Sequence, residues 1–237
     1  MRDPRWLPDV RVAVPIMLAA LLAGPAHADL SGNIAAVSDY RFRGISQSDG
    51  GPAAQASVAY DHPTGLFAGV FASTVDFSGA FHADVETFVQ AGFARRVRPE
   101  LSWELGGGCY AYPRANLDWN YCEVFLGAAW REVTARVHYT SDYLNRGARA
   151  TYVEVNARHA LNERIALVGH VGSWHSDGDG RLATPSSRLD VRVGVTFDLG
   201  VVNLEISGVA TDIPNAECPA GPNNCKPGAV VAISRSF

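Results

Sequence analysis

The 237-residue sequence lacks any apolar run of 18 or more residues, so no segment is long enough to cross a bilayer as a helix. Apolar residues at helical spacing are also scarce. Acidic residues outnumber basic ones, giving a formal net charge of −4 at pH 7, which argues against nucleic acid as a partner. No residue pattern indicates a cofactor, and we expect none.

The first 28 residues predict a cleaved secretory signal peptide. Three arginines precede an apolar stretch over residues 12–22, and Ala26-His27-Ala28 forms a small-x-small cleavage site. A buried N-terminal helix is the alternative. We expect the mature chain to begin at Asp29 and to be exported.

The four cysteines form two near-neighbour pairs. In an exported protein this arrangement predicts the disulfides Cys109–Cys122 and Cys218–Cys225. Neither pair has the short C-x₂₋₄-C spacing of a zinc site, so we expect no metal centre.

Apolar and polar residues alternate through most of the chain after residue 28. Residues 133–139, for example, place Val137 on one face and Arg136 and His138 on the other. The same alternation recurs in residues 84–93, 151–159 and 188–197. These period-two patterns predict strands with one apolar and one polar face.

Short and long connections alternate between the predicted strands, which is typical of a transmembrane antiparallel up-and-down β-barrel. We therefore predict an all-β fold, with residues 29–237 forming one barrel domain. Twelve strands fit best, with ten or fourteen as alternatives. The predicted strands cover residues 32–45, 53–60, 66–75, 84–95, 100–110, 120–130, 133–142, 150–159, 164–173, 187–198, 201–211 and 228–237.

The first predicted disulfide fixes the register of one hairpin. Pairing Cys109 with Cys122 places Leu105 opposite Leu126, on the same apolar face as the cysteines. A shift of one residue would turn every side chain to the other face. The disulfide and the apolar pattern thus predict the same hairpin, with both cysteine pairs at the barrel end that carries the long connections.

A short motif occurs twice. Residues 38–44, SDYRFRG, return as residues 141–147, SDYLNRG, and Cys122 and Cys225 are separated by the same interval. These matches favour two related six-stranded halves with corresponding loops at equivalent places. Chance likeness between alternating strands is the other explanation.

The chain ends on Phe237, at the close of an alternating stretch over residues 229–237. A terminal ring suits a strand that closes a membrane barrel, with the ring at the lipid–water boundary. We expect Phe237 to face outward with Val231 and Ile233. We also expect this strand to be the element that the barrel-assembly machinery engages.

Residues 33–47, NIAAVSDYRFRGISQ, resemble the opening segment of the TorF porin family. The likeness continues through Pro52-Ala53, residues 69–73 and Asp84-Val85, and it is strongest before residue 95. The resemblance implies a proteobacterial outer-membrane β-barrel. It supplies neither a transported solute nor a set of catalytic or binding residues.

The polar faces of the predicted strands carry two arcs of opposite charge. Around a narrow lumen, such arcs would orient small polar or charged solutes during passive diffusion. An interior salt-bridge network in a plugged barrel is the alternative. The residues predicted to line the lumen are Arg136, His138, Glu154, Arg158, Arg188 and Arg192 on one arc, and Asp84, Glu86, Glu104 and Glu123 on the other.

The residues around Tyr40 allow two interpretations. If the first strand continues to residue 45, Tyr40 belongs to an outer aromatic rim. Arg41, Arg43 and Arg146 would then line the pore mouth and recruit anions. The alternative is a structural Asp–Arg pair followed by a turn that glycine enables.

The sequence thus predicts a porin-like channel in the outer membrane of a Gram-negative bacterium, with outer-membrane lipids and small polar solutes as partners. A structural or adhesive barrel without transport is one alternative. A hydrolase is another, because His138, Ser141 and Asp142 are the residue types of a catalytic triad, although they crowd one strand end. Residues 173–180 are rich in oxygen donors but lack EF-hand spacing.

Overall fold

The computed structural model describes residues 29–77, 82–113, 115–177, 187–221 and 223–237. These residues form fourteen strands and two single-turn 3₁₀ helices. The strands are β1 Asp29–Val37, β2 Arg41–Phe42, β3 Ile45–Ser46, β4 Ala53–Asp61, β5 Leu66–Phe77, β6 Ala83–Arg98, β7 Leu101–Ala111, β8 Tyr121–Trp130, β9 Val133–Thr140, β10 Ala150–Ala160, β11 Ile165–Ser176, β12 Ser187–Asp198, β13 Asn203–Thr211 and β14 Gly228–Ser236. The 3₁₀ helices are Tyr143–Asn145 and Asn215–Glu217.

Twelve of these strands close into one antiparallel barrel, which confirms the predicted fold. Strands β1 and β4 to β14 neighbour one another in chain order, and β14 returns to pair with β1. Asn33 lies opposite Ser236 at this closure. The short strands β2 and β3 pair only with each other.

The two ends of the barrel differ in their connections. At the end that we call the turn end, the chain reverses within residues 62–65, 99–100, 131–132, 161–164 and 199–202. At the opposite end, the loop end, the described connections are longer and include the first loop (residues 38–52), the fourth loop (141–149) and the last loop (212–227). Asp29 and Phe237 both lie at the turn end.

Side chains alternate between the two faces of the barrel wall, as the period of a β-strand requires. The outward faces expose apolar side chains all around the barrel; examples are Ile34, Val58, Leu126, Val153, Val193 and Ile233. The inward faces carry most of the polar and aromatic residues. This pattern suits a wall with an apolar medium outside and a polar interior.

The hairpin of β7 and β8 has the predicted register. Cys109 pairs with Cys122 and Leu105 with Leu126, on the outward face near the loop end. Both predicted disulfides are present, with S–S distances of 2.02 Å for Cys109–Cys122 and 2.08 Å for Cys218–Cys225. The last loop contains the second one. Sequence spacing was therefore sufficient to assign both bridges.

The first strand is shorter than predicted, which corrects one part of the sequence interpretation. Strand β1 ends at Val37, and the first loop then folds back into the barrel. Two consecutive positive φ angles, 48° at Arg43 and 81° at Gly44, form its tight turn. Tyr40 is only 3% exposed, inside the lumen, and so it does not belong to an outer aromatic rim.

The C-terminal residue completes the closure of the wall. The backbone N–H of Gly32 donates to Phe237 O at 2.9 Å, and Phe237 N–H donates to Gly32 O at 3.0 Å. The Phe237 ring covers Gly32, where a Cβ atom would collide with it, and remains 72% exposed on the outward face.

The predicted signal peptide, residues 1–28, lies outside the described residues. The oxygen-rich stretch extends beyond them as well, since residues 178–180 are not described. Within the described ranges, no helix is both long enough and apolar enough to cross a membrane.

Candidate functional site: the charged lumen

Aromatic rings fill the half of the lumen nearest the loop end, which we call the loop half. Tyr110 packs against Phe88 and Tyr121, with centroid distances of 4.1 and 4.8 Å. Tyr143, from the fourth loop, lies 4.8 Å from Tyr121 and 4.3 Å from Trp174. All five rings are buried. They narrow the lumen to close packing at this level.

The first loop crosses the loop half and contacts the far wall. Arg43 Nη2 donates to both carboxylate oxygens of Glu123 on β8, at 2.9 and 2.8 Å. Both side chains are almost completely buried, at 4% and 1% exposure. The Arg43 guanidinium also lies 4.4 Å from the Tyr152 ring centroid on β10. Arg43 therefore holds the loop across the barrel interior instead of lining an outer mouth.

The charge on Arg43 is maintained by its partner. Burial is the largest single effect and acts to lower the pKa of Arg43. The Glu123 carboxylate, followed by Tyr121, Tyr110 and Tyr143, acts in the opposite direction, and together they raise the pKa well above its ordinary value. The pair is thus a buried ion pair with a charge-assisted hydrogen-bond geometry.

Tyr40 attaches the same loop to another buried carboxylate. Its hydroxyl donates to Glu86 Oε1 at 2.7 Å, and the Tyr112 hydroxyl donates to Oε2 at 3.0 Å. Burial, and next the charge of Glu86, raise the pKa of Tyr40 well above its usual value, so the hydroxyl remains a donor. Glu86 is fully buried and depends on these donors to replace water.

Arg41 joins the first loop to the last loop. Its Nε donates to Asp39 at 2.6 Å, and its Nη1 donates to the carbonyl oxygens of Asn224 and Lys226 at 3.1 and 2.9 Å. This is the Asp–Arg pair of the alternative interpretation, with its turn at Gly44. Arg41 therefore holds the two loops together, and its guanidinium is not directed into an open pore mouth.

A row of alternating carboxylates and imidazoles runs along five adjacent strands, β8 to β12. His138 Nδ1 lies 2.7 Å from Glu123, and His138 Nε2 lies 3.4 Å from Glu154. Glu154 lies 3.8 Å from His170 Nδ1, and His170 Nε2 lies 2.8 Å from Asp190. The acidic and basic arcs therefore meet in contacts along the wall.

The half of the lumen nearest the turn end, the turn half, contains more exposed ion pairs. Arg136 binds Glu104 through Nε at 2.8 Å, with both side chains about one quarter exposed. Arg192 lies 3.3 Å from Glu205. Arg158 is exposed and donates to the Thr196 hydroxyl at 2.7 Å. Charged groups here contact solvent, unlike the buried Arg43, Glu86 and Glu123 of the loop half.

The remaining predicted site residues are dispersed. Asp84 is exposed at the loop end of β6, and Arg146 is exposed on the fourth loop, 5.6 Å from the Trp119 ring centroid. Arg188 on β12 is 2% exposed and lies 4.4 Å from the Trp174 ring centroid. The predicted lumen residues thus lie on strands β6 to β12, whereas Arg41, Arg43 and Arg146 lie on the first and fourth loops. Together they occupy three environments: buried, partly exposed in the turn half, and exposed at the loop end.

His138 has no triad geometry. Both of its ring nitrogens contact glutamates, whereas Ser141 is exposed and Asp142 Oδ1 accepts from the Gly147 backbone N–H. Across the described parts of the chain, no three His, Cys, Asp or Glu side chains are grouped so that they could hold a metal ion.

Sequence reasoning missed the aromatic residues of the loop half and the role of Tyr40. The parity of each strand carries a usable signal, because Tyr110, Tyr121 and Trp174 share the inward faces of Glu104, Glu123 and His170. No comparable signal exists for the first loop, since Tyr40 and Arg43 lie outside the regular barrel strands and a turn with positive φ angles at Arg43 and Gly44 directs the loop into the lumen.

Comparison with solved structures identifies barrels of the same fold. The NanC porin superposes with a TM-score of 0.58 at 10% identity, covering 88% of this chain and 99% of NanC. The KdgM porin gives a TM-score of 0.54 at 9% identity, covering 87% of this chain and 98% of KdgM. A search of curated proteins finds no match to the sequence.

A bacterial family, Gcw_chp, is described as a bacterial protein of unknown function. Its family model matches residues 22–237, nearly the whole chain. The chain belongs to the Gcw_chp family.

Proposed function

We propose that the chain is an outer-membrane, porin-like channel for passive diffusion of small polar or charged solutes. The observation that carries this proposal is the closed wall of twelve strands, apolar on its outer face and charged within. The porin fold of NanC and KdgM and the resemblance of residues 33–47 to the TorF family support it. In this proposal, residues 1–28 are a cleaved export signal.

The proposed orientation places the turn end in the periplasm and the loop end outside. Short turns on the periplasmic side and longer loops outside are the usual arrangement of such barrels. The outward apolar face would contact outer-membrane lipids, and the strand that ends at Phe237 would engage the assembly machinery. The solvent-contacting Arg136, Arg158 and Arg192 would form a vestibule open to the periplasm.

The first loop would act as the gate of this channel. Arg43 and Tyr40 attach it to buried carboxylates across the loop half, so an open state requires that these contacts break. A barrel without transport is the second candidate. It is favoured by the close packing of rings and ion pairs in the same half.

Conductance of the purified barrel in planar bilayers separates the two candidates. We expect small, infrequent openings for the wild type and a higher open probability for Arg43→Gln, since the latch to Glu123 is lost. Arg146→Gln, which changes the corresponding exposed arginine of the fourth loop, is the matched control and should behave as the wild type. Absence of openings in both the wild type and Arg43→Gln would favour the barrel without transport.

Ion selectivity tests the role of the turn half. Arg158→Glu replaces an exposed lumen cation with an anion, and it should shift the reversal potential under a KCl gradient toward cation preference. Arg95→Glu, an exposed change outside the lumen at the turn end, is the control. Equal shifts in the two variants would argue against conduction through the lumen.

A further inference from the structure

One buried cation of the lumen forms no ion pair with any described residue. Arg188, the second residue of β12, faces inward at the loop end and is 2% exposed. It lies directly opposite Trp174 in the register of β11 and β12, with its guanidinium 4.4 Å from the indole centroid. Its Nε and Nη1 atoms are buried and have no hydrogen-bond partner within the described ranges.

The surrounding carboxylates do not neutralise Arg188. Asp190, the next inward residue on the same strand, accepts hydrogen bonds from Tyr152 and contacts His170. Among the described residues, no carboxylate forms an ion pair with Arg188. Arg43 shows the contrast, because it lies 5.6 Å from the same Trp174 ring and is neutralised by Glu123.

A second unpartnered donor lies beside the first. The indole Nε1 of Trp174 is also buried, and no atom of the described part of the chain accepts from it. Buried polar groups in proteins are nearly always hydrogen-bonded, and buried charges are paired or bind an ion. Arg188 and Trp174 together present three donor atoms and one positive charge that no described carboxylate pairs with, and these atoms provide no acceptor.

We propose that Arg188 and Trp174 form a binding subsite for a small carboxylate monoanion. A guanidinium makes charge-assisted hydrogen bonds to carboxylates. The two carboxylate oxygens accept hydrogen bonds in defined directions, which a spherical halide ion does not. The single uncompensated charge matches a monoanion better than phosphate or sulfate. The inference goes beyond the proposed channel, because it concerns binding whether or not a solute crosses.

Equilibrium titration of the detergent-solubilised, full barrel with ¹³C-carboxylate acetate tests the site directly. We expect saturable line broadening for the wild type. Affinity should fall at least about tenfold in Arg188→Gln and about fivefold in Trp174→Phe, which keeps the aromatic ring but removes the indole N–H. Arg146→Gln, an exposed arginine beside Trp119, should bind acetate as the wild type does.

Several outcomes would overturn the subsite. These are absence of saturable acetate binding to the wild type, unchanged binding in Arg188→Gln, and saturable binding of chloride but not of acetate. Because the titration requires no membrane and no conductance, failure of the channel proposal would leave its result unaffected.

Urea unfolding, measured with and without acetate, provides a second test that does not require the acetate affinity of any variant to be measured. Removal of an unpaired buried charge should leave Arg188→Met at least as stable as the wild type without acetate. Acetate should raise the midpoint of the wild type alone. If Arg188→Met lowers the midpoint equally with and without acetate, Arg188 only packs on Trp174, and the proposal fails.

Discussion

The two copies of the SDY…RG motif, residues 38–44 and 141–147, share their first three residues, but their arginines lie in different environments. The first loop joins β1 to β4 and the fourth loop joins β9 to β10, six strands further around the barrel. Each copy buries its tyrosine, Tyr40 or Tyr143, in the aromatic cluster of the loop half. Their arginines differ, because Arg43 is buried against Glu123 whereas Arg146 is exposed.

The difference teaches that a motif alone does not set the role of its charged residue. Arg43 crosses the lumen because an inward carboxylate, Glu123, lies where its side chain ends. No carboxylate among the described residues pairs with Arg146, which lies near Trp119 instead. The same residue type therefore serves as a buried latch in one loop and as a surface group in the other.

The largest expected effect comes from breaking the latch. Arg43→Met leaves Glu123 buried with His138 as its remaining partner, and should lower the free energy of unfolding by about 3–5 kcal/mol. Arg146→Met should change it by less than about 1 kcal/mol. Urea unfolding in detergent or lipid, followed by tryptophan fluorescence, measures both. Equal losses in the two variants would contradict the contrast between the loops.

The glycines that end the two motif copies provide the next test. Gly44→Ala adds a Cβ atom 2.6 Å from Asp190 Cβ at a φ of 81°, so we expect a loss of about 3 kcal/mol. Gly147→Ala, at a φ of 66°, should cost about 1–2 kcal/mol. Gly50→Ala isolates the backbone strain, because nothing lies within 4 Å of its added Cβ atom. A Gly44→Ala barrel as stable as Gly50→Ala would show that the first loop is not packed on β12.

The smallest effect distinguishes the two tyrosines. Tyr40→Phe removes a hydrogen bond to the buried carboxylate of Glu86, and should destabilise the barrel by about 1.5–3 kcal/mol. The Tyr143 hydroxyl makes no hydrogen bond to the described residues, so Tyr143→Phe should stay within about 0.5 kcal/mol. The same urea titration applies. A Tyr143→Phe loss that matches Tyr40→Phe would show that ring packing, and not the bond to Glu86, accounts for the effect.

The barrel wall was largely predictable, since its pattern repeats along every strand. The register of β7 and β8 followed from Cys109, Cys122 and the apolar face they share. The inward positions of Glu154 and Arg158 followed from the parity of β10. In each case the face of a side chain can be inferred from the residues two positions away, because successive side chains of a strand point to opposite faces.

The filling of the lumen was not predictable in this way. The Arg43–Glu123 pair joins residues 80 positions apart, on different sides of the interior. From the sequence, the arginines around Tyr40 could either line the pore mouth or form a structural Asp–Arg pair. The alternation of residues also predicted that the first strand continues to residue 45. The first strand ends early because Tyr40 is buried in the lumen, where it binds Glu86 beside Tyr112. The alternation of residues near Tyr40 does not reveal these distant partners.

The sequence by itself favoured twelve barrel strands, the faces of the side chains in the regular strands and both disulfides. These features follow from the alternation of apolar and polar residues along each strand and from cysteine spacing. Only the tertiary structure decided which charges are buried, paired or left single. That outcome depends on how far a loop reaches across a closed barrel and on which inward groups it meets there. Arg43, Arg146 and Arg188 are one residue type in the sequence, and the closed barrel places them in three electrostatic environments.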